Sequence, residues 1–334
     1  MAICEGKTLK FSNASILTFA SVVGKTEGDG PHGDEFDEVI EDNKGDSDTW
    51  EQAEATFQKK ALSHAMDKAG LLPEDMDLIF AGDLLNQCTG SSYGLKDFYI
   101  PFLGIYGACS TFAEGLLLSA AMVNAGYVDN ATAVTSSHFS SAERQYRFPL
   151  NYGGVRPPTA QWTATAAGAA IVTSAQKPPY IRAATAGKIQ DMGIKDQNNM
   201  GAAMAGAAYD TITRHFKHMG THPESYDAVI TGDLGQVGSD MLYELMLRDG
   251  IGLKRYHKDC GLMIYDRENQ DVHAGGSGCG CSASMMCAHF LKKVQSGEMK
   301  RILYVATGAL MSPTMVQQGG SIPGIAHAVE ICNS

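Results

Sequence analysis

The chain carries the same series of sequence landmarks twice, in the same order. The segment DLIFAGDLLNQ (77–87) reappears as DAVITGDLGQV (227–237), so that Asp83 and Asp233 occupy equivalent positions. The longer segment GACSTFAEGLLLSAAMVNAGYVDNATAVTSS (107–137) has a counterpart in CGCSASMMCAHFLKKVQSGEMKRILYVATGA (279–309), which aligns Cys109 with Cys281. Each copy reads as a helix, a glycine turn and a strand. This repetition predicts a duplicated unit of alternating strands and helices.

The duplication places the chain in the α/β fold class and divides it into two halves, residues 1–175 and 176–334. A length of 334 residues fits two units of about 150 residues each. Alternating apolar and polar residues over 15–23 predict a strand. The apolar spacing over 49–69, followed by Gly70, predicts a helix that ends in a glycine cap.

The net charge of −11 is concentrated in one segment. Residues 27–54 hold twelve acids and one lysine, and the rest of the chain is balanced. We predict a solvated acidic loop, because its spacing does not fit a calcium-binding loop: after Asp46 and Asp48 neither the required glycine nor the final glutamate follows. A contact with a partner or a cation is to be sought first in this segment. No run of lysines and arginines occurs, so a nucleic-acid partner is not expected.

The sequence lacks the patterns typical of membrane-spanning and secreted proteins and of common cofactor and metal sites. No apolar run reaches the length of a membrane span, and no signal peptide is recognised. The eight cysteines lie mostly in apolar or glycine-rich stretches, which indicates a reduced, intracellular protein. No P-loop, complete dinucleotide fingerprint or paired zinc ligands occur, so neither a cofactor nor a metal is expected.

Cys109 is the strongest candidate for a reactive residue, as a nucleophile. It precedes a long apolar stretch that predicts a helix, with Ser110 and Thr111 as possible N-caps. The positive end of a helix dipole would lower the pKa of the thiol and favour a nucleophile. A small buried cysteine at a tight turn is an equally good interpretation. A nucleophile also needs a proton carrier, for which His138, His273 and His327 are the candidates.

A polar stretch follows His138 and contains Arg144, Arg147 and Arg156 among several aromatic residues. Arginine forks beside aromatic rings suit a planar carboxylate ligand. A surface loop that packs on the fold or on a partner subunit explains the same residues.

The duplication, the GACS turn and the second glycine loop together resemble the thiolase superfamily. The strings AGDLLNQ, GACST, TSSH, AERQYRFP, DCGLMIY, AGGSGCGCSA, ATGALMSP and SIPGIAHAV are similar to the stage V sporulation protein AD family of spore-forming bacteria. The resemblance implies two duplicated βαβαβαββ halves in stacked α/β/α/β/α layers, with Cys109 at the nucleophile position. Condensing relatives carry a histidine where this chain reads Gly232-Asp233, and an Asn- or His-containing loop where it has His273 and AGGSGC.

What this family resemblance implies is binding of dipicolinic acid (pyridine-2,6-dicarboxylate) or its calcium chelate, without catalysis. The expected partners are membrane proteins of the same sporulation system. The expected location is the forespore or spore, peripheral to the inner membrane, and a homodimer is possible for a thiolase-like chain. The alternative is an acyl-CoA condensing or acyl-transfer enzyme with Cys109 as nucleophile. The ligand-binding residues expected in the cleft are Asp83, Cys109, Ser110, Ser137, His138, Arg144, His273 and Gly276.

Overall fold

The computed structural model describes residues 6–146, 155–174 and 177–334. Its strands are β1 (Thr8–Lys10), β2 (Ser15–Gly24), β3 (Glu38–Ile40), β4 (Leu78–Gly82), β5 (Phe102–Gly104), β6 (Asn130–Ser137), β7 (Trp162–Thr163), β8 (Ala166–Thr173), β9 (Tyr180–Thr185), β10 (Ala228–Thr231), β11 (His257–Asp259), β12 (Gly276–Ser277), β13 (Arg301–Ala309) and β14 (Gly324–Cys332). Its helices are α1 (Lys25–Gly28), α2 (Trp50–Ala69), α3 (Thr89–Leu95), α4 (Thr111–Asn124), α5 (Phe139–Tyr146), α6 (Met200–Met219), α7 (Gly235–Arg248), α8 (Cys260–Met263), α9 (Cys279–Met285), α10 (Leu291–Ser296) and α11 (Pro313–Gln317). A π-helical turn, Met286–Phe290, joins α9 to α10.

The main sheet repeats one strand order on both sides of its centre. The order is β11-β10-β13-β14-β9-β2-β8-β6-β4-β5, with β1 and β3 attached to β9 and β2. The central strands β2 and β9 pair at one position, Ser15 with Tyr180. Apart from short additional elements, the chain runs βαβαβαββ in each half, which confirms the predicted α/β class and its duplicated organisation.

The strands that each helix contacts show whether the helix lies in the central layer of the fold or on an outer face. Helix α4 contacts β4, β6 and β8 as well as β9, β13 and β14, so it lies between the two halves of the sheet. Its Phe112 and Leu116 are fully buried. Helix α9 packs beside it on β2, β6 and β8, so closely that a methyl group on Gly168 would lie 2.5 Å from the backbone of Ala283. Helices α2 and α3 cover one outer face, and α6 and α7 cover the other.

The predicted strand at 15–23 and the predicted helix at 49–69 are confirmed. Strand β2 is buried and pairs with β8 over nearly its whole length. Helix α2 begins after Thr49, whose side chain accepts a hydrogen bond from the backbone N–H of Gln52. It ends at Gly70, which has a left-handed φ of 66°. Local sequence signals therefore set both ends of this helix.

The interpretation of residues 27–54 as a solvated loop is wrong in part. Strand β3 joins the main sheet beside β2, and Glu27 and Glu54 are fully buried. Glu54 accepts hydrogen bonds from the hydroxyls of Ser136 (3.2 Å) and Ser141 (2.6 Å). Hydroxyl and N–H donors from elsewhere in the fold bind these buried carboxyl groups, and composition cannot reveal such donors.

The predicted boundary between the halves, at residues 175 and 176, lies outside the described residues and stays a prediction. Across the described ranges, no helix is both long and apolar enough to cross a membrane.

Candidate functional site

Cys109 lies where the two halves meet, two residues before the start of α4. The preceding residue, Ala108, has a left-handed φ of 50°, which turns the chain sharply into the helix. The side chain of Cys109 is buried, and its Sγ lies 3.8 Å from the hydroxyl of Ser277 on β12. A residue of the first half and a residue of the second half thus share one site.

A small pocket opens beside this thiol. Its volume is about 30 Å³, and its walls come from loops and element ends of both halves. The lining residues are Leu84, Tyr106, Ala108, Cys109, Ala142, Glu143, Tyr146, Thr163, Met200, Ser277, Ala309 and Met311. The hydroxyls of Tyr106 and Tyr146 meet at 3.1 Å. The pocket is therefore narrow and mainly apolar, with a few polar groups.

Asp233 forms the polar centre behind the pocket. It is fully buried, and its Oδ2 accepts hydrogen bonds from the Ser277 hydroxyl (3.2 Å) and the Gly278 backbone N–H (3.0 Å). Its Oδ1 accepts a hydrogen bond from the hydroxyl of Thr307 (2.8 Å). Burial raises the pKa of Asp233, although these donors and the thiol of Cys109 oppose the rise.

The electrostatics of Cys109 differ from the expectation. Burial raises the pKa of its thiol well above the usual range, and the charge and hydrogen bond of Asp233 raise it further. The prediction of a lowered pKa is therefore wrong, because desolvation and a neighbouring carboxylate outweigh a helix N-terminus. The thiol is held as a protonated donor.

Three of the predicted residues lie near this centre without lining the pocket. The hydroxyl of Ser110 donates to the carbonyl of Gly107 (2.7 Å), and that of Ser137 donates to the carbonyl of Ala164 (2.7 Å). Gly276 immediately precedes Ser277 on β12. These groups support the turn and the glycine loop, and only Cys109 of the eight predicted residues lines the pocket itself.

The structure does not bring His138 or Arg144 to the pocket. The Nε2 of His138 lies 2.8 Å from the backbone oxygen of Asn43 in the acidic segment, and burial lowers the pKa of this imidazole. Arg144 is largely exposed and pairs with Glu51 at the start of α2.

The other basic candidates also lie elsewhere. His273 is paired with the exposed Asp271, with its Nε2 3.0 Å from the carboxylate. His327 lies on β14, where its Nδ1 accepts a hydrogen bond from the Gly187 backbone N–H. Arg156 binds Asp271 as well, and Arg147 lies outside the described residues. Among the described residues, no histidine, lysine or arginine lines the pocket.

Asp83 forms a second buried acidic centre. Its carboxylate accepts hydrogen bonds from the backbone of Leu85 and from both the backbone and the hydroxyl of Ser91. Burial raises the pKa of Asp83, and burial together with the Asp83 charge raises that of Glu54. Asp83 thus shapes the loop that carries Leu84 and does not face the ligand space directly.

Sequence reasoning missed Asp233, Ser277, Tyr106 and Tyr146 as site residues. For Asp233 a signal was present, because it is the internal counterpart of Asp83 and follows β10 as Asp83 follows β4. Tyr146 belongs to the aromatic residues of the polar stretch after His138, which the sequence did indicate as suited to a planar ligand, whereas no signal marked Tyr106, which meets it across 40 residues of chain.

The pocket gathers no metal-ligand group, as far as the described residues show. Cys279 and Cys281 lie on α9 and Cys287 lies on the π-helical turn. The Cys279 thiol donates to the carbonyl of Ser136 (2.9 Å), and the Cys287 thiol donates to that of Ala169 (3.5 Å).

Solved structures of a 3-oxoacyl-[acyl-carrier-protein] synthase III and of OleA have the same fold. The chain superposes on 3-oxoacyl-[acyl-carrier-protein] synthase III from Aquifex aeolicus VF5 with a TM-score of 0.59 and 14% identity, covering 96% of this chain and 99% of that one. Cerulenin-bound OleA from Xanthomonas campestris gives a TM-score of 0.62 and 15% identity, covering 97% and 100%. At this level of identity the likeness establishes the thiolase-like fold.

Sequence comparison gives a narrower assignment. The profile described as Stage V sporulation protein AD matches residues 5–332. The curated Stage V sporulation protein AD of Bacillus subtilis (strain 168) is 44% identical over 309 residues, which cover 92% of this chain and 91% of that protein. The chain therefore belongs to the stage V sporulation protein AD family, whose fold is that of the thiolase-like synthases.

Proposed function

We infer that the protein has a role in sporulation, which its membership in this family supports. Beyond that, we propose that the protein binds dipicolinic acid or its calcium chelate in the pocket beside Cys109, without catalysing a reaction on it. Binding would serve uptake into the developing spore and release at germination.

One observation carries the non-enzymatic part of the proposal. Asp233 stands where the family resemblance places a histidine of condensing enzymes, and its carboxylate is beside the Cys109 thiol. A nucleophilic cysteine needs a base that accepts its proton and stabilises the thiolate. A buried carboxylate has the opposite effect on the charge, because it opposes a second negative charge nearby. The site therefore favours a binding pocket over an acyl-thioester site.

The side chains that line the pocket can contact the flat ring of dipicolinic acid, but the pocket has to widen before the ring can enter. A volume of about 30 Å³ leaves room for about two water molecules, which is less than a pyridine ring with two carboxylates requires. Tyr106 and Tyr146 offer aromatic faces, and Met200 and Met311 are unbranched side chains that can change rotamer. We infer that the ligand separates the tyrosine hydroxyls as it enters.

The charges favour the calcium chelate over the free dianion. Asp233 lies directly behind Ser277, and the described lining contains no lysine or arginine. A doubly negative ligand would be repelled by this carboxylate, whereas a chelate with Ca²⁺ carries no net charge. Calcium should therefore strengthen binding.

Calorimetric titration of the purified protein tests the proposal. Dipicolinate would be added with and without Ca²⁺, and benzene-1,3-dicarboxylate would serve as a ligand that lacks the chelating ring nitrogen. We expect saturable heat with dipicolinate and a higher affinity when calcium is present.

The Tyr106→Ala variant should weaken binding about tenfold or more, because it removes one wall of the pocket. Tyr127→Ala is the matched control, since Tyr127 is 76% exposed and is not one of the lining residues. Absence of saturable heat under both conditions would refute the proposal.

The alternative is an acyl-CoA condensing or acyl-transfer enzyme. It is favoured by the position of Cys109, which lines a pocket in front of α4 in a fold shared with synthases. Intact-protein mass spectrometry after incubation with acyl-CoA donors distinguishes the two functions. A stable acyl adduct that is lost in Cys109→Ser, together with product formation, would establish the enzyme and overturn the binding proposal.

We also propose that the protein acts with membrane proteins of the same sporulation system, peripheral to the spore inner membrane, and that it forms a homodimer. Light scattering on the purified protein tests the dimer. Co-purification from sporulating cells with the membrane proteins tests the partnership.

A further inference from the structure

Two histidines and one glutamate converge outside the Cys109 pocket. The carboxylate of Glu35 bridges them: its Oε1 lies 2.7 Å from the Nδ1 of His32, and its Oε2 lies 2.7 Å from the Nδ1 of His289. The two imidazole rings are edge to face, with centroids 4.6 Å apart. One ligating atom from each of the three side chains can be chosen so that all lie within 4.8 Å of one another.

The cluster joins parts of the chain that are remote in sequence. His32 is the N-cap of a single 3₁₀ turn in the acidic segment and Glu35 is the last residue of that turn, so their side chains lie close together. His289 comes from the π-helical turn that follows α9 in the second half. A π-helical turn alters the direction of the side chains it carries and is frequently found at functional sites. Here it directs His289 towards the acidic segment.

The side chains are accessible enough for an ion to enter. His32, Glu35 and His289 are 17%, 32% and 13% exposed, respectively. Partial burial limits their motion and excludes some of the competing water. The three groups are therefore held together before any ligand binds, which lowers the entropic cost of ordering them.

This ligand set has a preferred metal. Imidazole nitrogen suits zinc, copper, iron and nickel, whereas calcium and magnesium prefer oxygen ligands. Two histidines and one glutamate are a known tridentate set for Zn²⁺, which leaves a fourth position for water or another ligand. We propose that His32, Glu35 and His289 form a Zn²⁺ site that fastens the acidic segment to the second half of the protein.

The surrounding charges are compatible with this site. Although burial opposes ionisation of Glu35, the hydrogen bonds from the two histidines lower the pKa of its carboxyl group. An imidazole ligates through a deprotonated nitrogen, so a metal at this site would displace the proton that the Nδ1 of His289 shares with Glu35. Lys292 donates to the backbone carbonyl of Glu35, which leaves the carboxylate to the metal but adds an opposing positive charge. We therefore expect moderate affinity.

Zinc at this site should stabilise the folded chain. The ligands are 254 residues apart between Glu35 and His289, so they are assembled only by folding. A metal that binds the native state and not the unfolded one raises the unfolding temperature, and the rise grows with the metal concentration relative to the dissociation constant. The effect requires no ligand in the Cys109 pocket and is independent of the proposed function.

The test uses the full-length, untagged protein after removal of metals by a chelator. Zn²⁺ is titrated with calorimetry, and Co²⁺ serves as a spectroscopic probe of imidazole and carboxylate ligation. We expect one equivalent to bind and the unfolding temperature to rise. His32→Gln and His289→Gln should each weaken binding at least about tenfold, because each removes one of three ligands. His64→Gln is the matched control, since His64 makes a similar 2.7 Å contact with Glu38 but belongs to no three-residue group in the described chain.

Circular dichroism establishes that each variant is folded, and Glu35→Gln replaces any that is not. Loss of binding in the site variants with retention in His64→Gln supports the site. If the wild-type protein binds no stoichiometric Zn²⁺, or binds it equally in the folded site variants, the three residues form a hydrogen-bonded cluster only and the proposal is overturned.

Discussion

Glu27 offers the most direct test of how the acidic segment is built into the fold. Its side chain is fully buried, and its Oε1 accepts hydrogen bonds from the Thr165 backbone N–H (3.0 Å) and from the hydroxyl of Tyr265. Burial raises the pKa of Glu27 to about 7 from 4.5, although these donors oppose the rise. The perturbation is Glu27→Gln, which keeps the shape and removes the titration.

The magnitude follows from the two pKa values. A carboxyl group whose pKa is higher in the folded state contributes stability that is fully present below about pH 4.5 and is lost as the pH rises to about 7. Within that window each pH unit changes the free energy of unfolding by about 1.4 kcal/mol, which gives a total of about 3 kcal/mol. Above pH 7 both states are ionised and the contribution stays constant. Glu27→Gln has no carboxyl group at this position, so its free energy of unfolding does not fall in this way between pH 4.5 and 7.

The assay is urea unfolding of both proteins at several pH values between 4.5 and 8. The free energy of unfolding of Glu27→Gln minus that of the wild type should rise by about 3 kcal/mol across the window. Any constant offset from altered hydrogen bonding cancels in this comparison. Glu74→Gln is the control, because the exposed Glu74 keeps similar solvent surroundings in both states. A difference for Glu27→Gln that is as flat as that of the control would refute the reasoning.

Three further predictions concern the site and its framework. Asp233→Asn removes the charge that opposes thiolate formation, so alkylation of Cys109 at pH 8 should accelerate several-fold by peptide mass spectrometry; an unchanged rate would contradict this electrostatic account. Gly280→Ala would place a methyl group 2.1 Å from a backbone oxygen of β8, so we expect at least about 1–3 kcal/mol of destabilisation in urea unfolding. Gly252→Ala, with open space around it, should change stability by about 0.5 kcal/mol at most. Arg144→Ala breaks a largely exposed ion pair, so a loss above about 1 kcal/mol in the same assay would contradict its placement at the surface.

Features that depend on neighbours in the chain could be predicted from the sequence. The N-cap at Thr49 and the glycine at Gly70 mark the ends of α2, since capping involves residues within one turn. The duplicated order of strands and helices follows from hydrophobic patterns of a few residues each. The position of Cys109 before α4 could also be predicted, because it depends on the apolar pattern of the residues that follow it.

The direction of side chains at the candidate site could not be predicted in this way. His138 follows β6 as expected, yet its ring contacts Asn43, which lies 95 residues earlier. Arg144 is on α5, but the helix turns it towards Glu51 while Tyr146 lines the pocket. A one-residue change in helix position rotates a side chain by about 100°, so a sequence string locates a region more reliably than a contact.

The sequence by itself determined the α/β class, the duplication, the family and the cysteine at the start of α4. Only the tertiary structure decided that burial, with Asp233 beside it, raises the pKa of that cysteine, that acidic residues are buried, and that Glu35 joins two distant histidines. The physical reason is that local patterns specify secondary structure, whereas pKa values and ligand sets depend on desolvation and on charges brought within a few ångströms by folding. These distances are set by how the layers pack, and no short stretch of chain encodes them alone.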